Sequence, residues 1–220
     1  MKNNKLVLIG GGGHCKSVVE IIRNMNTYEV VGISDLKEER GKVILGIPVL
    51  YTDEDLPALF YNGVRNALIA VGSIGDASLR IKLFEKVKDI GFNFPIIISP
   101  YAVIAGDVKI GEGTAVMHRV VVNVGSVIGR NCILNTGCIV EHDCKIGDHV
   151  HVASGAVLSG GVEVGYAAHI GAGAVIKQGV KIGKRSVIGA GSVVVKDVPE
   201  DSVYVGVPAR ELVKNGGNII

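Results

Sequence analysis

From Ile98 to Val194 every sixth residue is Ile, Leu or Val, seventeen positions in unbroken succession. The run begins Ile98, Ile104, Ile110, Val116, Val122 and closes Ile176, Ile182, Ile188, Val194. Four residues after each of these the side chain is small or β-branched, from Ala102 and Val108 through Cys132, Cys138 and Cys144 to Ser192 and Val198. Glycine repeatedly follows the aliphatic position, as at Gly111, Gly129, Gly147, Gly171 and Gly189. A period of six matches neither the α-helical turn nor the heptad of a coiled coil. It matches one short strand plus one turn.

Three such units close a triangular coil of eighteen residues, and coils stack at roughly 4.8 Å, the spacing of hydrogen-bonded strands. The aliphatic residue points inward at mid-face and the small one fits the narrow corner. The repeat therefore predicts a left-handed parallel β-helix over 98–198, with no long external loop because no hexad is interrupted. Composition agrees: aromatics are only 5%, Trp is absent and Gly numbers 31, as a core of small and β-branched side chains with many tight turns requires. Cys132, Cys138 and Cys144 occupy the small inward slot, where a buried thiol serves as a small hydrophobe. Disulfides are not expected.

Residues 1–95 follow another pattern. Lys5-Leu6-Val7-Leu8-Ile9 is the continuous apolar run of a buried parallel strand. Gly10–Gly13 and His14 follow, then helical spacing through Val18, Val19, Ile22 and Met25. A second strand, Val30–Ile33, ends at Ser34-Asp35; a third, Ala67–Val71, ends at Gly72; Ala77–Ile90 reads as a helix. This is an α/β, Rossmann-like subdomain. Gly10, Gly12 and the small Cys15 approximate a phosphate-binding turn, and Asp35 sits where an acid takes a ribose hydroxyl. A plain tight turn is the alternative. Ninety-five residues are too few for a two-halved dinucleotide sheet, so a mononucleotide or nucleotide-sugar is the expected ligand. Pro95 and Ser99-Pro100 mark the boundary, which divides the chain into 1–95, 96–200 and a tail, 201–220.

Among the six histidines, His142 lies at a turn position, pointing outward between Glu141 and Asp143. A carboxylate beside an imidazole fixes its tautomer and stabilises its cation, as a general base requires. A solvated surface histidine is the plainer alternative. His151 and His169 are eighteen apart and should stack on consecutive coils. His118 lacks an acidic neighbour and reads as surface. A three-His zinc site between subunits, as in hexapeptide-repeat carbonic anhydrases, is a rival, although the histidines form no obvious triad.

With the Gly10–His14 turn, Asp35, the strand ending at Gly72, the Glu141-His142-Asp143 turn and the closing Gly206-Val207-Pro208-Ala209-Arg210, nearly the whole chain resembles a known family. It is similar to the hexapeptide acyltransferases of the sialic-acid O-acetyltransferase (NeuD) and bacillosamine N-acetyltransferase (PglD) type. The resemblance implies an acetyl-CoA-dependent N-acetyltransferase acting on a UDP-linked 4-amino-4,6-dideoxy-sugar by direct transfer. It implies His142 as base, Asp143 as its orienting acid and the Gly160 N–H as oxyanion donor. His151, Gly160, Ala172, Gly173, Gly191 and Pro208 would lie along the acetyl-CoA. Gly12, Gly13, His14, Asp35 and Gly72 would meet the nucleotide-sugar. Gly11-Gly12 stands where such relatives carry Ala-Ser, so backbone amides must replace a serine hydroxyl on the phosphate. The family is trimeric, with sites between neighbouring prisms.

O-acetylation of a sialic-acid-like sugar, the zinc enzyme and a purely structural β-helix are the competing readings. A net charge of +2 suggests neither nucleic acid nor an anionic membrane as partner. Without a leader-like segment or a long apolar run, a cytoplasmic protein is expected.

Overall fold

The computed structural model describes residues 4–212; residues 213–220 of the expected tail lie outside them. The N-terminal sheet contains β1 (Lys5–Ile9), β2 (Glu29–Ser34), β3 (Val43–Ile44), β4 (Ile47–Tyr51) and β5 (Asn66–Ile69), in the order β3-β4-β2-β1-β5. All its pairings are parallel except the β3–β4 hairpin. Three α-helices accompany it, α1 (Gly13–Met25), α2 (Leu56–Tyr61) and α3 (Ser78–Ile90), with one 3-10 turn at Lys37–Glu39. The apolar run of β1 is buried on both faces, as covered parallel strands demand. Helix α1 starts at Gly12 in extended conformation and stops where Asn26 turns left-handed, at φ 49°. Its buried stripe of Cys15, Val18, Val19, Ile21 and Ile22 packs into one continuous core with the prism. The short β3–β4 hairpin and α2 carry too little periodicity to announce themselves in the sequence.

Seventeen two-residue strands, from Ile97–Ile98 to Val193–Val194, form the prism. In each, the second residue is the aliphatic of the hexad and points inward. Successive coils pair residue i with i+18, as in Val103↔Val121↔Ile139↔Val157. Fully burying one such Ile, Leu or Val contributes about 1.5–3 kcal/mol. The repeat ends sooner than the hexad count implied. Ile182 bridges Val198 and Val187 pairs with Val203, a step of sixteen in place of eighteen. Val198 thus takes a strand place rather than a corner. A hairpin of Val203–Gly206 and Ala209–Glu211 then extends one sheet.

The outward residue of each strand gives the three faces three characters. On the docked face Ile97, Ala115, Ile133, His151 and His169 are buried, with the α/β subdomain against them. On the ionic face Lys145 and Lys181 flank Glu163 at 3.4 and 3.6 Å. The apolar face presents Val103, Val121, Ile139, Val157, Val175 and Val193, with Val103 65% exposed.

Arg80 and His118 are among the polar groups that join subdomain to prism. Arg80 of α3 is 1% exposed and donates to the carbonyls of Asn131 and His149, corner residues of consecutive coils, and to Ser73 Oγ. No carboxylate pairs with it among the described residues, and burial pushes its pKa down to about 10. His118, expected as an unpaired surface residue, instead bridges Ser99 Oγ and Glu20 Oε2, each at 2.6 Å. Its acid comes from α1, 98 residues away, beyond any local pattern.

Candidate active site

The His142 corner is built by stacking. Asp143 adopts φ 60° while its N–H donates to Val124 O in the coil before, and Gly161 N–H donates to His142 O from the coil after. His142 Nδ1 donates to Asp143 Oδ2 at 2.8 Å, which selects the tautomer of the neutral ring whose basic nitrogen is Nε2. That nitrogen lies over Gly160, where an added methyl would sit 2.5 Å from it. The Asp143 carboxylate likewise fills the space a side chain at Gly125 would need. Both glycines stand eighteen residues from the group they admit, so the coil period itself was the signal for Gly125. The Gly160 carbonyl accepts from Gly179 N–H, while its own N–H has no acceptor among the described residues. His142 and Asp143 side chains are 51% and 71% exposed, open to a substrate. Glu141 is engaged elsewhere, its Oε2 accepting from Asn123 at 2.9 Å.

A second concavity of about 1220 Å³ lies between the α/β subdomain and the docked face. Gly12, Gly13, His14, Asp35 and Gly72 line it, as the sequence reading expected, and Asn135 and His151 close it from the prism. The two oxygens of Asp35 accept from Gly11 N–H at 2.6 Å and Leu36 N–H at 2.8 Å, so the carboxylate braces the turn. Gly72 has no side chain because the Cβ of His14 lies only 3.2 Å from where one would start.

The imidazoles here are neutral. His151 Nδ1 donates to Ser73 O at 2.6 Å, and its Nε2 accepts from Asn135. Burial, with His169 beside it, pushes its pKa down to about 3. His169 stacks edge-on against it with ring centroids 4.9 Å apart, as the eighteen-residue spacing required. Burial and then the Arg80 guanidinium lower His14 and His169 to about 4. His14 Nε2 and His169 Nδ1 are buried without a hydrogen-bond partner.

Within one chain the expected site residues form three groups. His142, Asp143 and Gly160 stand on the corner between apolar and ionic faces. Ala172, Gly173 and Gly191 are on the corner between docked and apolar faces, and Pro208 lies in the terminal hairpin turn. His151 sits with the cavity residues and not beside Gly160. Ser73, Asn123 and Asn135 were not singled out from sequence, because their partners become neighbours only through coil stacking or docking. All four cysteines are free and buried. Among the described residues no group of three or more His, Cys, Asp or Glu is placed to hold a metal ion, and no helix is long and apolar enough to cross a membrane.

The cavity glycines separate into two kinds. A methyl at Gly10 or Gly11 would collide with Val71, or with Ile44 and Asp35, whereas Gly12 and Gly13 face open space. Gly12→Ala and Gly13→Ala should therefore both fold, Gly13→Ala with an unchanged or slightly raised melting temperature because Ala is the better helical residue, and Gly12→Ala with a slightly lowered one because Gly is the better N-cap. If the open space belongs to a phosphate at the helix terminus, both should weaken nucleotide-sugar binding about tenfold or more. Equal binding in isothermal titration would assign these glycines to chain conformation alone.

Comparison with known proteins gives a consistent result. The model of the PglD N-terminal domain matches residues 5–87, and that of the bacterial transferase hexapeptide (six repeats) matches 125–160 and 161–196. A GDP-perosamine N-acetyltransferase of Escherichia coli O157:H7 is 32% identical over 159 residues, 70% of this chain and 69% of that one. The perosamine N-acetyltransferase of Caulobacter crescentus, solved with CoA and GDP-perosamine, is 40% identical, covers 96% of this chain and 97% of its own, and superposes with a TM-score of 0.90. The acetyltransferase domain of PglB from Neisseria gonorrhoeae, solved with acetyl coenzyme A, is 36% identical over 96% of this chain and 100% of its own, with a TM-score of 0.89.

Proposed function

The chain belongs to the hexapeptide-repeat sugar acetyltransferases of the PglD/NeuD type, acetyl-CoA-dependent enzymes, and from that premise we propose that it N-acetylates the amine of a nucleotide-linked 4-amino-4,6-dideoxy-sugar. The observation that carries this reading is the His142 corner, where one imidazole nitrogen is held by Asp143 and the other lies over Gly160, in the space a side chain there would fill.

His142 Nε2 takes a proton from the sugar amine as the amine nitrogen attacks the thioester carbonyl carbon. Negative charge gathers on the carbonyl oxygen, and the Gly160 N–H donates to it; such a donor acts mainly near the transition state. Collapse breaks the carbon–sulfur bond, and the imidazolium, stabilised by Asp143, returns the proton to the departing thiolate. The products are the amide and free CoA. An acyl-cysteine is disfavoured, because burial holds the Cys132 and Cys138 thiols up at about 11 and 12, leaving little thiolate.

Ala172, Gly173, Gly191 and Pro208 give the CoA chain a run of small residues to lie along. The apolar face supports a homotrimer: a valine-rich stripe lies between the His142 corner and that run, and covering it with a neighbouring prism would draw one subunit's corner toward the next. The nucleotide-sugar takes the cavity beside Gly12, Gly13 and His14. Two of the solved relatives that hold GDP-perosamine are variants of a single histidine, which supports a histidine role. They also favour guanosine over the uridine that resemblance alone implied.

The test is thiol release from acetyl-CoA with a GDP-4-amino-sugar, a UDP-4-amino-sugar, sialic acid or no acceptor. Release that depends on a nucleotide-amino-sugar is expected. Turnover with sialic acid alone would replace the reading with O-acetylation.

A further inference from the structure

The far end of the cavity, beyond Asp35, is shaped like a base-binding slot. Leu36 follows β2 and is 64% exposed; Leu79 on α3 is 59% exposed; both line the cavity together with Leu83. Exposed leucines lining a deep concavity are apolar walls awaiting a flat, apolar-faced occupant. At the slot's edge Asp53, from the loop after β4, faces Lys86 of α3, with Oδ2 and Nζ 3.0 Å apart. The side chains are 34% and 46% exposed, within reach of a ligand. The adjacent Asp55 is already engaged, accepting from Thr52 N–H and Oγ1 and from Arg40. Asp53 Oδ1 has no partner among the described residues.

The order along the cavity also fits. Gly12 and Gly13 stand at the helix terminus, Asp35 one strand away, and Leu36, Asp53 and Lys86 beyond it. A nucleoside diphosphate laid with its phosphates on α1 would bring its base to the slot.

We propose that the Asp53–Lys86 pair reads the Watson–Crick edge of the base and selects guanine. The inference rests on the reading of this cavity as a nucleotide-sugar site. Guanine presents two adjacent donors, N1–H and the N2 amino group, beside the O6 acceptor. A carboxylate accepts the first two side by side, and the ammonium donates to O6, a charge-assisted arrangement. Uracil offers one N–H between two carbonyl oxygens, so one carboxylate oxygen would meet a lone pair. Adenine offers a ring nitrogen lone pair where guanine has N1–H, and is excluded for the same reason.

Isothermal titration of the full-length protein with GDP, UDP and ADP tests this. Wild type should bind GDP at least tenfold more tightly than UDP or ADP, about the discrimination one good bidentate contact provides. Asp53→Asn should weaken GDP about tenfold, leave UDP within threefold and so erase the preference. Lys86→Met keeps an apolar stem of similar length on an exposed part of α3. It should weaken GDP severalfold with the melting temperature unchanged. Equal wild-type affinities, or a GDP:UDP ratio untouched by both substitutions, would overturn the proposal. The parent reading fails separately: selective GDP binding without thiol release on any nucleotide-amino-sugar would remove the acetyltransferase assignment and keep the base reader. Efficient turnover of UDP-amino-sugars with no preference for GDP would do the reverse.

Discussion

His142→Ala should lower kcat for acetyl transfer by about 10²–10⁴-fold, the usual contribution of a positioned general base. The effect should fall on kcat with acetyl-CoA affinity nearly unchanged, because the side chain is half exposed and packs against a glycine rather than a core. Folding should survive for the same reason: the backbone bonds that stack this corner come from the Asp143 and Gly161 amides to carbonyls, not from the imidazole. Asp143→Asn should cost less, because the amide still reaches Nδ1 but withdraws the charge that stabilises the imidazolium. It also permits the opposite tautomer, with the proton on Nε2. A His142→Ala enzyme that keeps more than a tenth of wild-type kcat would remove this residue as the base.

Acid should unfold the protein well before its carboxylates are neutralised. His14, His149 and His169 are held at about 4 and His151 at about 3, against 6.5 in an unfolded chain. The first cause in each is burial, which penalises the charged imidazole. Arg80 lies near all four. A folded-state value below the unfolded one means that the unfolded chain binds more protons between those limits. Stability is therefore complete above pH 6.5 and is lost as pH falls toward 4. At pH 5 unfolding takes up close to four protons, a slope on the order of 5 kcal/mol per pH unit at most. Urea midpoints at pH 7, 6 and 5 should drop steeply and in step, with the α/β subdomain leaving the prism. Equal midpoints at pH 7 and 5 would show that these histidines are protonated, or hydrated, in the folded state.

The inference from hexads to prism succeeded because each coil repeats one steric problem. An inward aliphatic, a small corner and a left-handed turn recur every six residues, so seventeen positions testify to the same geometry. The turn chemistry at His142 was legible for a related reason. Its acid is the next residue, and the glycine it faces is one coil away at a fixed offset of eighteen. Asp35 shows where local reading stops: an acid at the end of β2 signals a nucleotide site, but Gly11 and Leu36 claim its oxygens only once the loop closes. Val198 shows the same at the other end, where it keeps the hexad rhythm after the pairing step has changed.

Whatever depends on period could be read along the chain: the triangular coil, its inward column, the buried thiols of the prism, the His151–His169 stack and the outward His142–Asp143 pair. Such features need only neighbours one turn or one coil away. The tertiary structure alone decided which prism face the α/β subdomain covers, and with that which groups lose water. Docking buries Arg80 with no carboxylate paired to it among the described residues, turns Glu20 toward His118, and closes His151 over the cavity between subdomain and prism. Those contacts join residues tens of positions apart with no common period, and their energies come from desolvation, which exists only when two surfaces meet.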